Sequence, residues 1–204
     1  MAESTPQESA YRYEICFSGS GGQGIITAAV VMAEAVGTLD GKYVCQTQSY
    51  GPEARGGKSK AEVVISNKPI DYPKALHIDL LLAMTQAACD AYFFGIKADG
   101  LLVVDKTLVE QLPTSRAIAI PFTHIARHDI GREMVANMVA LGAVGFLCGQ
   151  VILQNLEKAL LARVPKGTEE MNREALQAGI EEAQKFNLAE LPRSFINDFE
   201  EGEL

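Results

Sequence analysis

The most constraining feature of the chain lies near its start, where a short β-type run, Tyr13 to Phe17, is followed after Ser18 by six residues that include four glycines. An alanine-rich stretch, Ile25 to Val36, follows and is long enough for a helix, with Gly37 as a plausible stop. Strand, tight turn and helix in that order commit the chain to an α/β layer arrangement. A helix that returns over its own strand covers one face of a sheet. The turn itself, Gly19-Ser20-Gly21-Gly22-Gln23-Gly24, carries the G-x-G-x-x-G pattern. Glycines let the backbone take positive φ and approach a ligand closely. The first turn of the helix offers free N–H groups and a partial positive charge, which suit a phosphate or carboxylate.

Three readings of this turn stay open. A dinucleotide site normally places an acidic residue at the end of the second strand, to bond a ribose hydroxyl. Here that strand, Lys42 to Gln46, runs on into Thr47 and Gln48, and Asp40 precedes it. Gly24 is followed directly by Ile25 and Ile26, not by lysine and Ser or Thr, so this loop is not a Walker loop. The second reading is a turn that only lets helix and strand pack closely. The third is an anion or phosphate contact made jointly with another subunit.

The rest of the chain extends the α/β pattern. Lys60 to Ser66 reads as a third strand, joined to the second by the loop Thr47 to Lys58. That link is too short for a crossover helix, so this strand is expected to run antiparallel to a neighbour in a mixed sheet. Asp79 to Met84, Gly100 to Asp105 and Ala117 to Pro121 are apolar runs suited to buried strands. Thr85 is positioned to cap a helix over Gln86 to Ile96. Three helices are expected beyond His124: a long buried one over Ile130 to Gln150, then Leu156 to Arg163 and Thr168 to Phe186. The expected fold is a three-layer, Rossmann-like α/β domain, its sheet mixed but mostly parallel, with a helical C-terminal part. Its expected limits are residues 12–186. Residues 1–11 read as a flexible arm and 187–204 as an acidic tail, frayed or docking on a partner.

Composition narrows the partners. Twenty-six acidic against eighteen basic residues give a net charge of -8, the wrong sign for a protein that replaces phosphate counterions on nucleic acid. Met134 to Cys148 is too short and too interrupted to span a bilayer. The N-terminus lacks a basic region followed by an apolar one, so a cytoplasmic protein is expected. Cys16, Cys45, Cys89 and Cys148 form no C-x-x-C pair. They read as reduced, mostly buried side chains and not as ligands of a metal or cluster. His124 and His128 share a helical face but want a third ligand. Gly142, Gly145 and Gly149 give the long helix a small-residue face, for its own core or for a subunit interface. Asn137 is the lone polar side chain in that run and, if buried, needs a partner such as a loop backbone on the ligand rim.

The second loop, Ser49-Tyr50-Gly51-Pro52-Glu53-Ala54-Arg55-Gly56-Gly57, combines an aromatic, a proline, a carboxylate and a guanidinium with three glycines. It leaves the second strand as the glycine loop leaves the first, so both are expected on one rim, where ligands of doubly wound sheets sit. Arg55 can fork onto a carboxylate or phosphate. Alternatively Glu53 and Arg55 form a local ion pair on a surface turn.

The run Ser18 to Ile25 followed by Gln48 to Gly57 resembles the gamma subunit, or gamma domain, of 2-oxoacid:ferredoxin oxidoreductases. Leu80 to Met84, Gly100 to Asp105 and Val135 to Gly142 fit the same pattern, and the likeness covers roughly residues 12–185. The resemblance implies a hetero-oligomeric complex that oxidatively decarboxylates a 2-oxoacid to an acyl-CoA and carbon dioxide. Electrons pass to ferredoxin or another acceptor. It implies thiamine diphosphate with Mg, coenzyme A and 4Fe–4S clusters in the complex. Alpha and beta subunits hold the thiamine, and a delta-type or beta-borne component holds the clusters. No catalytic or metal-binding residue carries over to this chain. Gly19, Ser20, Gly21, Gly22, Gln23 and Gly24, with Tyr50, Gly51, Glu53, Arg55, Gly56 and Gly57, are expected to face the partners near the thiamine and coenzyme A sites. The fuller string from Gln46 to Ser66 looks most similar to members acting on 2-oxoglutarate. Pyruvate, branched-chain and aryl 2-oxoacids such as phenylglyoxylate stay open. So do a stand-alone dinucleotide-binding module and a pure assembly subunit.

Overall fold

A computed structural model describes residues 11–50 and 57–192. Six strands form one sheet: β1 (Arg12–Ser20), β2 (Tyr43–Tyr50), β3 (Lys58–Ser66), β4 (Ile78–Ala83), β5 (Ile96–Asp105) and β6 (Ala117–Ile120). Their order is β2-β3-β1-β4-β5-β6. The expected antiparallel third strand is present: β3 pairs antiparallel with both β1 and β2. The pairs β1–β4, β4–β5 and β5–β6 are parallel, so the sheet is mixed and mostly parallel.

Six helices accompany the sheet among the described residues: α1 (Ile25–Glu34), α2 (Gln86–Tyr92), α3 (Phe122–His124), α4 (Ala136–Cys148), α5 (Leu153–Arg163) and α6 (Glu169–Ala183). Strand alternation divides them into unequal layers. Ile15, Phe17, Val63, Leu80, Leu82 and Val103 point to the face covered by α1 and the C-terminal helices. Cys16, Leu81, Ala83, Leu102 and Val104 point to the other, where Cys89, Phe93 and Val109 cover them. The helical C-terminal part therefore lies over one face, and α2 over the opposite one.

Of the expected glycine face, Gly142 and Gly145 pack into the chain's own core, while Gly149 is the left-handed cap of α4 and a Cβ there would meet nothing within 4 Å. A Cβ on Gly142 would lie 2.0 Å from the Leu176 carbonyl oxygen, and one on Gly179 would lie 1.8 Å from that of Val139. Helices α4 and α6 thus pack backbone on backbone.

Several boundaries differ from the expected ones, for reasons that periodicity does not carry. The helix expected over Ile130 to Gln150 begins only at Ala136. Gly131 sits at φ 83, and a short 3-10 turn, Glu133–Val135, precedes α4. Met134 stands 91% exposed instead of buried. The helix expected to reach Ile96 ends at Tyr92, because Ile96 is claimed by β5, which pairs it with Ile78. Strand β2 continues to Tyr50, held residue by residue against β3. Thr85 caps α2 as expected, its hydroxyl accepting from the Ala88 N–H at 3.3 Å.

Candidate functional site

The strand order reverses direction at β1, with β3 and β2 on one side and β4 on the other. Ligands of open α/β sheets sit outside the carboxyl ends of the strands at such a point. The glycine loop occupies this position. Its conformation is fixed from within: Gln23 folds back so that its Oε1 accepts from the Ser20 N–H at 2.7 Å. Glycine at position 19 leaves the room, since a Cβ there would stand 2.6 Å from that oxygen. Gly24 is the residue before α1 and adopts φ 71, a left-handed conformation that glycine takes at little cost. A Cβ on it would also strike the Asn137 amide nitrogen, at 2.3 Å.

Asn137 makes the rim contact its isolation implied. It is 6% exposed and its Nδ2 donates to the Gly24 carbonyl at 3.1 Å. The same carbonyl accepts from the Ala28 N–H, so α4 and α1 are tied at one oxygen. The two sequence loops meet as well. The Gly21 N–H donates to the Gly57 carbonyl at 3.0 Å, and Tyr50 pairs with Ser59 at the same end of the sheet. Gly51, Glu53, Arg55 and Gly56 lie outside the described residues.

No side chain caps the first turn of α1, and that turn contains no acidic residue. Its N–H groups and the positive end of the helix dipole therefore meet no side-chain acceptor from the cap and no acid of their own turn. A cleft of about 310 Å³ opens beside it, lined by Gly22, Gln23, Met84, Thr123, Glu133 and Met134. The last four are contributions that sequence spacing did not reveal; they come from the ends of β4, α3 and the turn before α4. Thr123 is held in place by Asp105, a fully buried carboxylate that accepts from its hydroxyl and its N–H. Glu133 is paired with Arg127 at 2.8 Å. The cleft can therefore bind and orient a group, but it presents no activated nucleophile among the described residues.

Other candidates resolve into structural roles. Asp40, the acidic residue nearest the second strand, accepts from the Ile152 N–H at 2.9 Å and the Asn155 amide at 2.7 Å, so its oxygens join α5 to the chain before β2. Burial pushes the thiols of Cys16 up to about 12 and of Cys89 and Cys148 up to about 11, so as they stand they are protonated core side chains. The rings of His124 and His128 are 4.5 Å apart, and no group of three metal-ligating side chains forms among the described residues. These donor sets do not fit an iron–sulfur cluster.

Known proteins share this fold. The family model for pyruvate ferredoxin/flavodoxin oxidoreductase matches residues 14–182. The 2-oxoglutarate synthase subunit KorC of Methanocaldococcus jannaschii is 48% identical over 178 residues, covering 85% of this chain and 95% of that one. The keto/oxoacid ferredoxin oxidoreductase gamma subunit from Geobacter sulfurreducens superposes with a TM-score of 0.80 at 50% identity, over 86% of this chain and 98% of that one. The fold also recurs inside a longer chain. A 2-oxoglutarate:ferredoxin oxidoreductase from Magnetococcus marinus matches with a TM-score of 0.78 at 23% identity, over 90% of this chain and 33% of that one. Taken with the joined loops at the switch point, these likenesses place the chain in the pyruvate ferredoxin/flavodoxin oxidoreductase family, as a gamma-type subunit of an enzyme complex.

Proposed function

We propose that the chain completes a thiamine diphosphate- and coenzyme A-dependent complex that oxidises 2-oxoglutarate. The carboxylate carbon would leave as carbon dioxide, the acyl group would pass to coenzyme A, and two electrons would go to ferredoxin or a similar acceptor. In the complex, thiamine diphosphate supplies the electron sink for decarboxylation and clusters carry the electrons. Alpha and beta subunits would hold the thiamine, and a delta-type or beta-borne component the clusters, with the assembly working in the cytoplasm. The part of this chain that does so is residues 12–186, between an N-terminal arm and an acidic tail. By itself it would turn over no substrate.

The observation that carries this reading is the uncapped first turn of α1, set at the switch-point cleft, with the glycine loop before it bonded to the second loop through Gly21 and Gly57. Backbone N–H groups at a helix N-terminus bind phosphate or carboxylate. The residues Gly19 to Gly24 would bind and orient an anionic part of coenzyme A or the oxoacid, with Arg55 adding a guanidinium from the neighbouring loop. Choice of 2-oxoglutarate rests on the names and identity of the relatives; pyruvate, branched-chain and aryl oxoacids are the alternatives.

The test uses the whole complex. Arg55→Ala is expected to raise the apparent KM for coenzyme A or the oxoacid while the subunit stays bound, and unchanged kinetics would count against the loop's role. Among a panel of oxoacids, 2-oxoglutarate should have the highest kcat/KM; a higher value for pyruvate or an aryl oxoacid would reject the substrate.

A further inference from the structure

A second, larger pocket of about 630 Å³ lies behind the glycine loop, between the first turns of α1, α4 and α6 and the last turn of α5. Most of its wall is apolar and includes Val31, Met138, Leu160 and Met171. Of its polar lining, which includes Thr27, Thr168 and an Arg163 paired with Glu34, two side chains are buried: Asn137 and Asn172, each only 6% exposed. Both amide nitrogens are committed to backbone carbonyls, Asn137 to Gly24 at 3.1 Å and Asn172 to Thr168 at 2.8 Å. Those carbonyl partners fix which end of each amide faces the main chain. The two Oδ1 atoms face the other way, and neither accepts a hydrogen bond among the described residues. Neither is a sealed, unsatisfied atom, so the small exposed remainder of each residue opens on the pocket.

An amide oxygen can only accept. The pocket therefore asks for an occupant that is apolar between N–H donors, which describes an extended polypeptide. Its rim adds a charge requirement. Arg132 is exposed and pairs with no carboxylate among the described residues, and the first turn of α1 carries no compensating acid. Beside them Met134 projects into solvent. Methionine walls adapt to an entering side chain better than branched ones do.

We propose that a segment of a neighbouring subunit docks in this pocket. An apolar side chain enters between Met138 and Met171, main-chain N–H groups are given to Asn137 and Asn172, and a flanking carboxylate meets Arg132. This goes beyond the loop reading: it concerns how the chain is held in its complex, and it stands or falls independently of what Arg55 contacts.

The co-expressed complex provides the test. Arg132→Glu reverses the rim charge at an exposed position that leaves the fold intact, and Met171→Trp fills the pocket. Each is expected to weaken association with the partner subunits about tenfold or more in native mass spectrometry on dilution. Amide exchange of residues 132–138 and 168–172 is expected to slow on assembly with coenzyme A absent. Unchanged association of Arg132→Glu overturns the proposal even if Met171→Trp fails to fold. Slowed exchange only after coenzyme A is added would assign the pocket to a small molecule and overturn it too. Arg55→Ala, by contrast, should change KM with association intact, so the two readings fail separately.

Discussion

Replacing Gly179 by alanine should destabilise the protein, against what helix propensity alone would give. In an ordinary helix interior, Gly→Ala gains roughly 1 kcal/mol. Here the added Cβ would stand 1.8 Å from the Val139 oxygen, 2.8 Å from its carbonyl carbon and 3.0 Å from the Ala143 nitrogen. Ordinary contact starts near 3.4 Å, so α6 must withdraw from α4 by about 1.5 Å. The obstacle is backbone, which no rotamer change can move aside. Overpacking of this kind costs about 1–3 kcal/mol and occasionally more. With the obstacle immovable, the upper part of that range applies, and the net loss after the propensity gain is about 2 kcal/mol. For a chain of this size that lowers Tm by about 4–8 °C, which calorimetry or a circular-dichroism melt of the isolated subunit would register. A Tm equal to or above that of the parent would refute the backbone-on-backbone contact.

Asn137→Ala removes the bond to Gly24 and is expected to cost about 1 kcal/mol. It should also speed amide exchange across residues 20–28, and equal exchange rates would show that α4 does not hold the loop. Thr85→Ala should cost about 1 kcal/mol through loss of the α2 cap, measured by urea denaturation. Burial raises three thiols, Cys16, Cys89 and Cys148, above the ordinary value of 9.0, to about 11 or 12. Between those values the unfolded chain releases protons that the folded chain keeps, so stability is full below pH 9 and falls as pH rises through 9 to 12. A denaturant midpoint that held steady over that interval would contradict their burial.

Much of the site was legible in the sequence because it depends on local chemistry. Four glycines between a strand and an alanine-rich helix dictate the turn, a short link dictates an antiparallel β3, and a threonine before a helical run dictates a cap. Asn137 was legible for a different reason: one polar side chain in an apolar helix needs a partner. What stayed hidden depends on tertiary pairing. Ile96 reads equally well as the end of a helix or the start of a strand, and only its pairing with Ile78 decides. The stretch from Ile130 to Gln150 reads as one buried helix, yet Gly131 turns left-handed and Met134 faces solvent. Thr123, Met84 and Asn172 give no local signal, because each joins a pocket only when separate elements converge.

The most direct measurement is a structure of the assembled complex with coenzyme A and a 2-oxoacid bound. The account predicts residues 19–24 in van der Waals or hydrogen-bond contact with a bound cofactor or with the subunit that holds it, and the loop carrying Arg55 beside them. Both loops in open solvent, tens of ångströms from any thiamine or coenzyme A, would contradict it.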